Sequence, residues 1–383
     1  MNIAYEARHG QPRRILLVCT QRIGDVLLST PLARSMKRAW PQAQIDMLVL
    51  PGTEGALAGN PDIAQILALP QRVGFMEKLA QLRRLWQRYD LAVSPLATDR
   101  ARLFCRVAGR YRVGLLQAQG ERSKRGLLNR WAVFDDLDTH TVSMGLRIAE
   151  LLGIPACTEV VPPTAAWPDV ARKLSALPAD TSYAVLHPYP KFSYKMWTAA
   201  GWVALAHALH AHGLQVVLTG GPDRDECNYA TQIAKSAAEQ GVQVVNLAGQ
   251  LSLGETAELI RRAALFVGPD TAVTHIAAAT GTPTLALFGP SNPVKWGPWP
   301  QGRTALESPW SRRGSGQQGN VYLLQGEDVR NCVPCMLEGC ERHVDSCSAC
   351  LRSLTAQRVI ATAEELLEWR IQNRLRDPVN QRV

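Results

Sequence analysis

The sequence predicts an α/β protein made of two successive doubly wound parallel-sheet domains. Short apolar runs alternate with amphipathic stretches along most of the chain, the pattern of strands and helices in covered parallel sheets. The alternation weakens once, in the proline-rich segment from Pro155 to Pro178, and then resumes. At 383 residues the chain can bury two cores of ordinary size. Hydrophobic residues at 46% and charged residues at 20% describe a soluble globular protein rather than a disordered one. No segment approaches the roughly 20 apolar residues of a membrane-spanning helix. The run Ile15 to Cys19 is too short for the core of a secretion signal, so a cytoplasmic protein is expected.

Ile15 to Cys19 reads as the first strand, and a turn then leads into a helix ending near Trp40-Pro41. Gln44 to Leu50 and Ile63 to Leu69 read as strands, Phe75 to Arg88 as an amphipathic helix, and Leu91 to Pro95 as a further strand. Thr98 to Ala108 is predicted helical, Arg112 to Gly114 a strand, and His140 to Leu152 a helix stopped by Gly153. The second alternation opens with the strand Tyr183 to Pro188. Helix Ala199 to His212, strand Leu214 to Thr219, strand Val242 to Asn246 and helix Leu253 to Ala263 follow. Thr355 to Arg370 reads as a last helix. The expected division is a first domain over 1–160, a linker over 161–180, a second domain over 181–354 with a cysteine-rich segment at 332–350, and a C-terminal helix over 355–383.

The richest stretch runs from Phe266 to Pro298 and reads as strand, short helix, strand. An apolar run ends at Val267, Gly268-Pro269-Asp270 breaks it, and Thr271 to Thr280 suits a helix stopped by Gly281. Thr284 to Phe288 is a second buried strand, closed by Gly289-Pro290. Asp270 and Thr271 fall where the helix dipole and free N–H groups favour a phosphate, and Thr271 and His275 share one helical face. Taken singly, Asp270 reads equally well as an N-cap and His275 as a core histidine. Glycine-proline turns at the carboxyl ends of both strands, where open α/β sheets place ligands, favour a site. Asp25 lies in the corresponding place after the first strand. No Gly-x-Gly-x-x-Gly or P-loop sequence is present.

These motifs resemble glycosyltransferase family 9, the ADP-heptose:lipopolysaccharide heptosyltransferases. The resemblance rests on Asp270-Thr271 followed by His275, on Phe288-Gly289-Pro290-Ser291, on the segment Gly24-Asp25-Val26-Leu27-Leu28-Ser29-Thr30-Pro31-Leu32, and on Lys195-Met196-Trp197. It extends from Ile15 to about Ile360. It implies the GT-B fold, two doubly wound Rossmann-like domains facing across a cleft. It also implies an inverting transfer, without a catalytic metal, of a heptose or similar sugar from an ADP-sugar to a lipid-linked lipopolysaccharide inner-core acceptor. By the same resemblance Asp25 is the general base, and Lys195, Asp270, Thr271, His275, Gly289 and Pro290 form the donor site. Lys191 competes with Lys195 for the phosphate role, and no acceptor residues are assigned. An N-terminal extension, the segment Asn292 to Trp296 and the insert Ser311 to Gln318 depart from the family pattern, so the sugar and acceptor stay open.

Two features lie outside these motifs. The net charge of +9 is concentrated in first-half arginines, among them Arg83, Arg84, Arg88, Arg100, Arg106 and Arg110. They read as a solvated surface or as one facing an anionic inner-membrane leaflet or phosphorylated acceptor, which makes the protein peripheral on that membrane. No recognisable nucleic-acid module is interleaved with them. Cys332, Cys335, Cys347 and Cys350, with Cys340 as an alternative ligand, have the spacing of a structural zinc or iron site. The triplets Asp136-Leu137-Asp138 and Asp223-Arg224-Asp225 read as loop charges before metal ligands. Two rival functions follow: a protein O-heptosyltransferase acting on autotransporters, or a basic metal-binding protein for nucleic acid. The second leaves Asp25 and the donor motif unexplained.

Overall fold

The computed structural model describes residues 5–70, 74–117, 126–175, 177, 181–328 and 331–376. It divides into two units, Met1–Pro163 with Gly302–Ser308, and Thr164–Gln301 with Pro309–Val383. The first contains α1 (Tyr5–His9), β1 (Arg14–Cys19), α2 (Ile23–Leu28), α3 (Thr30–Ala39), β2 (Gln44–Val49), β3 (Gln65–Ala68) and α4 (Phe75–Leu85). It continues with β4 (Tyr89–Ser94), α5 (Asp99–Ala108), β5 (Gly109–Gln117), β6 (Arg130–Phe134) and α6 (Thr141–Leu152). Its six strands are parallel in the order β3-β2-β1-β4-β5-β6. In β1 every residue after Arg14 is buried, because helices cover both faces of a central parallel strand.

One predicted helix is two. The helix expected after β1 breaks at Ser29, between α2 and α3. The Ser29 and Thr30 hydroxyls donate to the carbonyls of Val26 and Leu27 at 2.7 Å, and Pro31 enters where a missing N–H costs nothing. Strand β6 was not predicted: Arg130-Trp131-Ala132-Val133-Phe134 is only half-buried and lacks alternation.

The second unit contains α7 (Trp167–Lys173), β7 (Tyr183–Leu186), α8 (Ala199–Ala211), β8 (Gln215–Leu218), α9 (Arg224–Glu239), β9 (Val244–Asn246) and α10 (Leu253–Arg262). It continues with β10 (Leu265–Pro269), α11 (Ala272–Thr280), β11 (Thr284–Phe288), α12 (Pro293–Trp296), β12 (Gly316–Gln318), β13 (Val321–Gln325), α13 (Ala349–Arg352) and α14 (Ala356–Arg376). The strand order is β12-β13-β11-β10-β7-β8-β9, parallel except for the edge strand β12. That edge strand is formed by the end of the insert Ser311 to Gln318.

Two domain expectations are corrected. The segment expected as linker over 161–180 holds α7, whose Val170 is fully buried in the second unit's core beside Val185 and Phe266. Residues Gly302–Ser308, expected in the second domain, belong to the first unit, where the Arg303 carbonyl accepts from Thr158 and that of Leu306 from Ser143. The last helix starts close to its expected place, with Val359, Ala363 and Leu366 buried in the second unit's core.

Candidate functional site

The stretch Phe266 to Pro298 forms β10, α11 and β11 as expected, and the turn between β10 and α11 gathers the polar residues. The N-cap of α11 is Thr271, whose hydroxyl accepts from the Thr274 N–H, while Gly281 closes the helix at φ +82°. Asp270 is therefore not the cap. Its carboxylate, 8% exposed, accepts from the Lys195 ammonium at 2.5 Å and from the Ser291 hydroxyl at 2.6 Å. Three separate segments thus meet at one side chain: the loop after β7, the start of α11 and the turn after β11.

The electrostatics follow from burial. Burial alone would raise the Asp270 carboxyl, but Lys195, His275 and Ser291 outweigh it and hold the group below its usual value. His275 is 6% exposed, and burial holds its pKa at about 4 despite Asp270, so it is neutral at pH 7. Its Nδ1 has no hydrogen-bond partner among the described residues. A buried polar atom without a partner is costly, and a ligand that supplies one is favoured. Lys195 is 18% exposed and fixed in its ion pair, whereas Lys191 is solvent-exposed.

Ser291 was missed although it sits inside the recognised motif, because no local pattern tells that its hydroxyl reaches back 21 residues to Asp270. His187, at the carboxyl end of β7, was also missed. It is buried, bonds Thr219 Oγ1 through Nδ1 at 3.0 Å, and is held neutral by burial with a pKa of about 4.

Gly289 and Pro290 face the cysteine-rich segment. A Cβ on Gly289 would stand 2.7 Å from Leu351 Cδ1, so only glycine permits this approach. The Pro290 carbonyl accepts from the Met336 N–H at 2.8 Å. The same segment reaches the lysine loop, where the Ser348 hydroxyl donates to the Tyr194 carbonyl at 2.6 Å.

Four of the five cysteines expected as metal ligands, Cys340 among them, lie together. Cys332, Cys335, Cys340 and Cys350 line one small cavity with Pro290, but Cys347 does not; its carbonyl instead accepts from the Cys340 N–H at 2.9 Å. Burial, with the neighbouring thiols, pushes Cys350 up to about 12, and Cys340 Sγ already accepts from the Ala349 N–H. Among the described residues no three His, Cys, Asp or Glu side chains are placed to hold a metal ion. Asp223 is the N-cap of α9, accepting from Asp225 N–H at 3.0 Å, which accounts for that acidic triplet.

In the first unit Asp25 lies in the first turn of α2, beyond the carboxyl end of β1 and half-buried. One carboxylate oxygen accepts from the Arg22 N–H at 3.2 Å. Strand β1 stands between β2 and β4, so Asp25 sits at the point where the strand order reverses.

The family model for glycosyltransferase family 9 (heptosyltransferase) matches residues 76–318. The chain is 32% identical to an Escherichia coli lipopolysaccharide heptosyltransferase 3 over 293 residues, 72% of this chain and 83% of the relative. Among solved structures it is similar to a glycosyl transferase family 9 protein of Veillonella parvula, with a TM-score of 0.73 at 18% identity, covering 96% of this chain and 99% of that one. It is likewise similar to the Escherichia coli ADP-heptose lipopolysaccharide heptosyltransferase II, with a TM-score of 0.71 at 23% identity, covering 94% and 99%. The chain therefore belongs to glycosyltransferase family 9 and is a glycosyltransferase of the GT-B fold.

Proposed function

We propose that this glycosyltransferase moves a heptose, with inversion, from an ADP-linked donor to a lipid-linked inner-core saccharide of lipopolysaccharide. The observation that carries the reading is the buried Lys195–Asp270–Ser291 cluster beside the N-terminus of α11. A lysine held by a buried carboxylate at a helix start suits a diphosphate, whose charge grows as the glycosidic bond breaks. The relatives' names supply the choice of heptose and of lipopolysaccharide.

In this mechanism the donor diphosphate lies against the first turn of α11, with Lys195 neutralising it. Asp270 and Ser291 hold the ammonium in place. Neutral His275 hydrogen-bonds the donor through its otherwise unpartnered Nδ1. Asp25 takes the proton from the acceptor hydroxyl, whose oxygen attacks the anomeric carbon opposite the leaving ADP. The carbon–phosphate oxygen bond breaks and its electron pair leaves with the diphosphate. An acceptor anchored in lipid sets the reaction at the cytoplasmic surface of the inner membrane. No described helix is long and apolar enough to cross a membrane.

The test is isothermal titration of the protein and its Lys195→Ala variant with ADP, UDP and GDP. Preferential ADP binding, lost in the variant, is expected. Preference for UDP or GDP would remove the ADP-heptose donor, and no nucleotide binding at all would remove the donor site.

A further inference from the structure

The arginines of the first unit are not evenly spread. Helices α4 and α5 pack side by side on one face of the sheet, joined by Leu85, Ala101, Cys105 and Ala108 in one apolar cluster with Leu16, Val18 and Leu48. Their outer sides are basic and apolar together. On α5 the buried positions 101, 102, 105 and 108 leave Arg100, Leu103 and Arg106 as an exposed stripe at three-residue spacing. On α4 and its cap the exposed side chains include Met76, Arg83, Arg84 and Trp86. Met76 is 73%, Trp86 61% and Leu103 51% exposed, an unusual cost for three large apolar groups.

The charges of this face are mostly basic, its exposed carboxylates being Glu77 on α4 and Asp99 on α5. Among the described residues Arg83, Arg84, Arg100 and Arg106 have no carboxylate partner, while Asp99 is taken by the buried Arg102 at 2.6 Å and Asp90 by Arg110 at 3.7 Å. We propose that the outer face of α4 and α5 docks on an anionic phospholipid surface, its arginines on lipid phosphates and Trp86, Met76 and Leu103 in the headgroup layer. Guanidinium groups interleaved with tryptophan and aliphatic side chains are the composition of an interfacial face. A nucleic-acid surface explains the arginines but gives Met76 and Leu103 nothing to bury against. The choice of a bilayer rests on the lipid-linked acceptor proposed above; the face itself does not.

The experiment is sedimentation with vesicles of phosphatidylcholine alone and with 30% phosphatidylglycerol, at two salt concentrations, with ADP titration on the same samples. Binding to the anionic vesicles only, weakened by salt, is expected. Each Arg→Gln change at 83, 84, 100 and 106 should lower partitioning about fivefold. Trp86→Ser with Leu103→Ser should reduce the binding that survives high salt. Unchanged melting and ADP binding show that these variants remain folded. Absent vesicle binding, equal binding by the four-arginine variant, or preference for an RNA oligonucleotide over vesicles would each overturn the proposal. Because ADP binding is read separately, loss of the membrane face leaves the donor site standing, and the reverse holds.

Discussion

Replacing Lys195 by Met keeps its bulk and removes its charge, leaving the Asp270 carboxylate at 8% exposure with the Ser291 hydroxyl still donating to it. Removing one member of a buried ion pair costs about 3–5 kcal/mol. Lys195 is 18% exposed and the Ser291 hydrogen bond survives, so the cost falls at or below the foot of that range, about 2–3 kcal/mol. In a unit of roughly 200 residues this lowers the melting temperature by about 4–12 °C. The pH dependence identifies the cause. In the native protein Asp270 is held below its ordinary pKa, so its stabilisation is present above that value and lost as the pH falls through the lowered one. In the variant the buried carboxyl is raised instead, so the penalty appears as the pH rises through the raised value. The gap in melting temperature should be widest at pH 7–8 and close toward pH 3.

Differential scanning fluorimetry across this range, with ADP titration at pH 7.5, makes the measurement. ADP should bind about 10- to 100-fold more weakly, the worth of one charge-assisted hydrogen bond. The double variant Lys195→Met, Asp270→Asn should regain most of the melting temperature but not the ADP affinity, since the first depends on an unpaired charge and the second on the ammonium. A Lys195→Met protein that melts within about 1 °C of the native one at pH 8 and keeps its ADP affinity would refute both the ion pair and the phosphate role.

Three further outcomes are expected. Asp25→Asn should lower transfer by about 10²- to 10⁴-fold while ADP affinity stays within about twofold, and full activity would take Asp25 out of the mechanism. Ser348→Ala should raise the donor KM about tenfold with little change in kcat, and Ser348→Thr should restore it; an unchanged KM would mean that the cysteine-rich segment does not set the lysine loop. His187 and His275 are held neutral with pKa values of about 4, so the unfolded chain takes up more protons between pH 6.5 and pH 4. Stability should therefore fall on acidification through that window, more shallowly in the His187→Asn, His275→Asn variant, and equal slopes would show that water reaches both rings.

What was legible in the sequence is what periodicity and short spacing encode. Buried parallel strands are apolar on both faces, so β1, β10 and β11 stood out, whereas half-buried β6 did not. The helix stop at Gly281 was visible because positive φ selects glycine. Partners across long intervals were not visible. Asp270 could be read as a cap because sequence shows that it precedes a helix, not that Thr271 takes the cap and leaves its carboxylate for Lys195, 75 residues away. The cysteine spacing marked the group but not its membership: Cys332, Cys335, Cys340 and Cys350 line one cavity, whereas the Cys347 carbonyl accepts from the Cys340 N–H.

That last difference bears on how the donor site is held. Segment 331–353 bonds the Tyr194 carbonyl next to Lys195, bonds the Pro290 carbonyl next to Ser291, and packs Leu351 onto Gly289. Lys195 and Ser291 are the two groups that hold Asp270, and each has its neighbouring backbone fixed by the same segment. The Leu354 carbonyl adds a third hydrogen bond, accepting from Trp197 Nε1 at 2.8 Å just beyond the lysine loop. An ammonium on a four-carbon stem has about 2 kcal/mol of rotamer entropy to lose, and fixing its backbone lowers what remains to be lost when a diphosphate binds. The cysteine-rich segment thus braces the donor loop through packing and hydrogen bonds, and a change there should be read first in donor affinity.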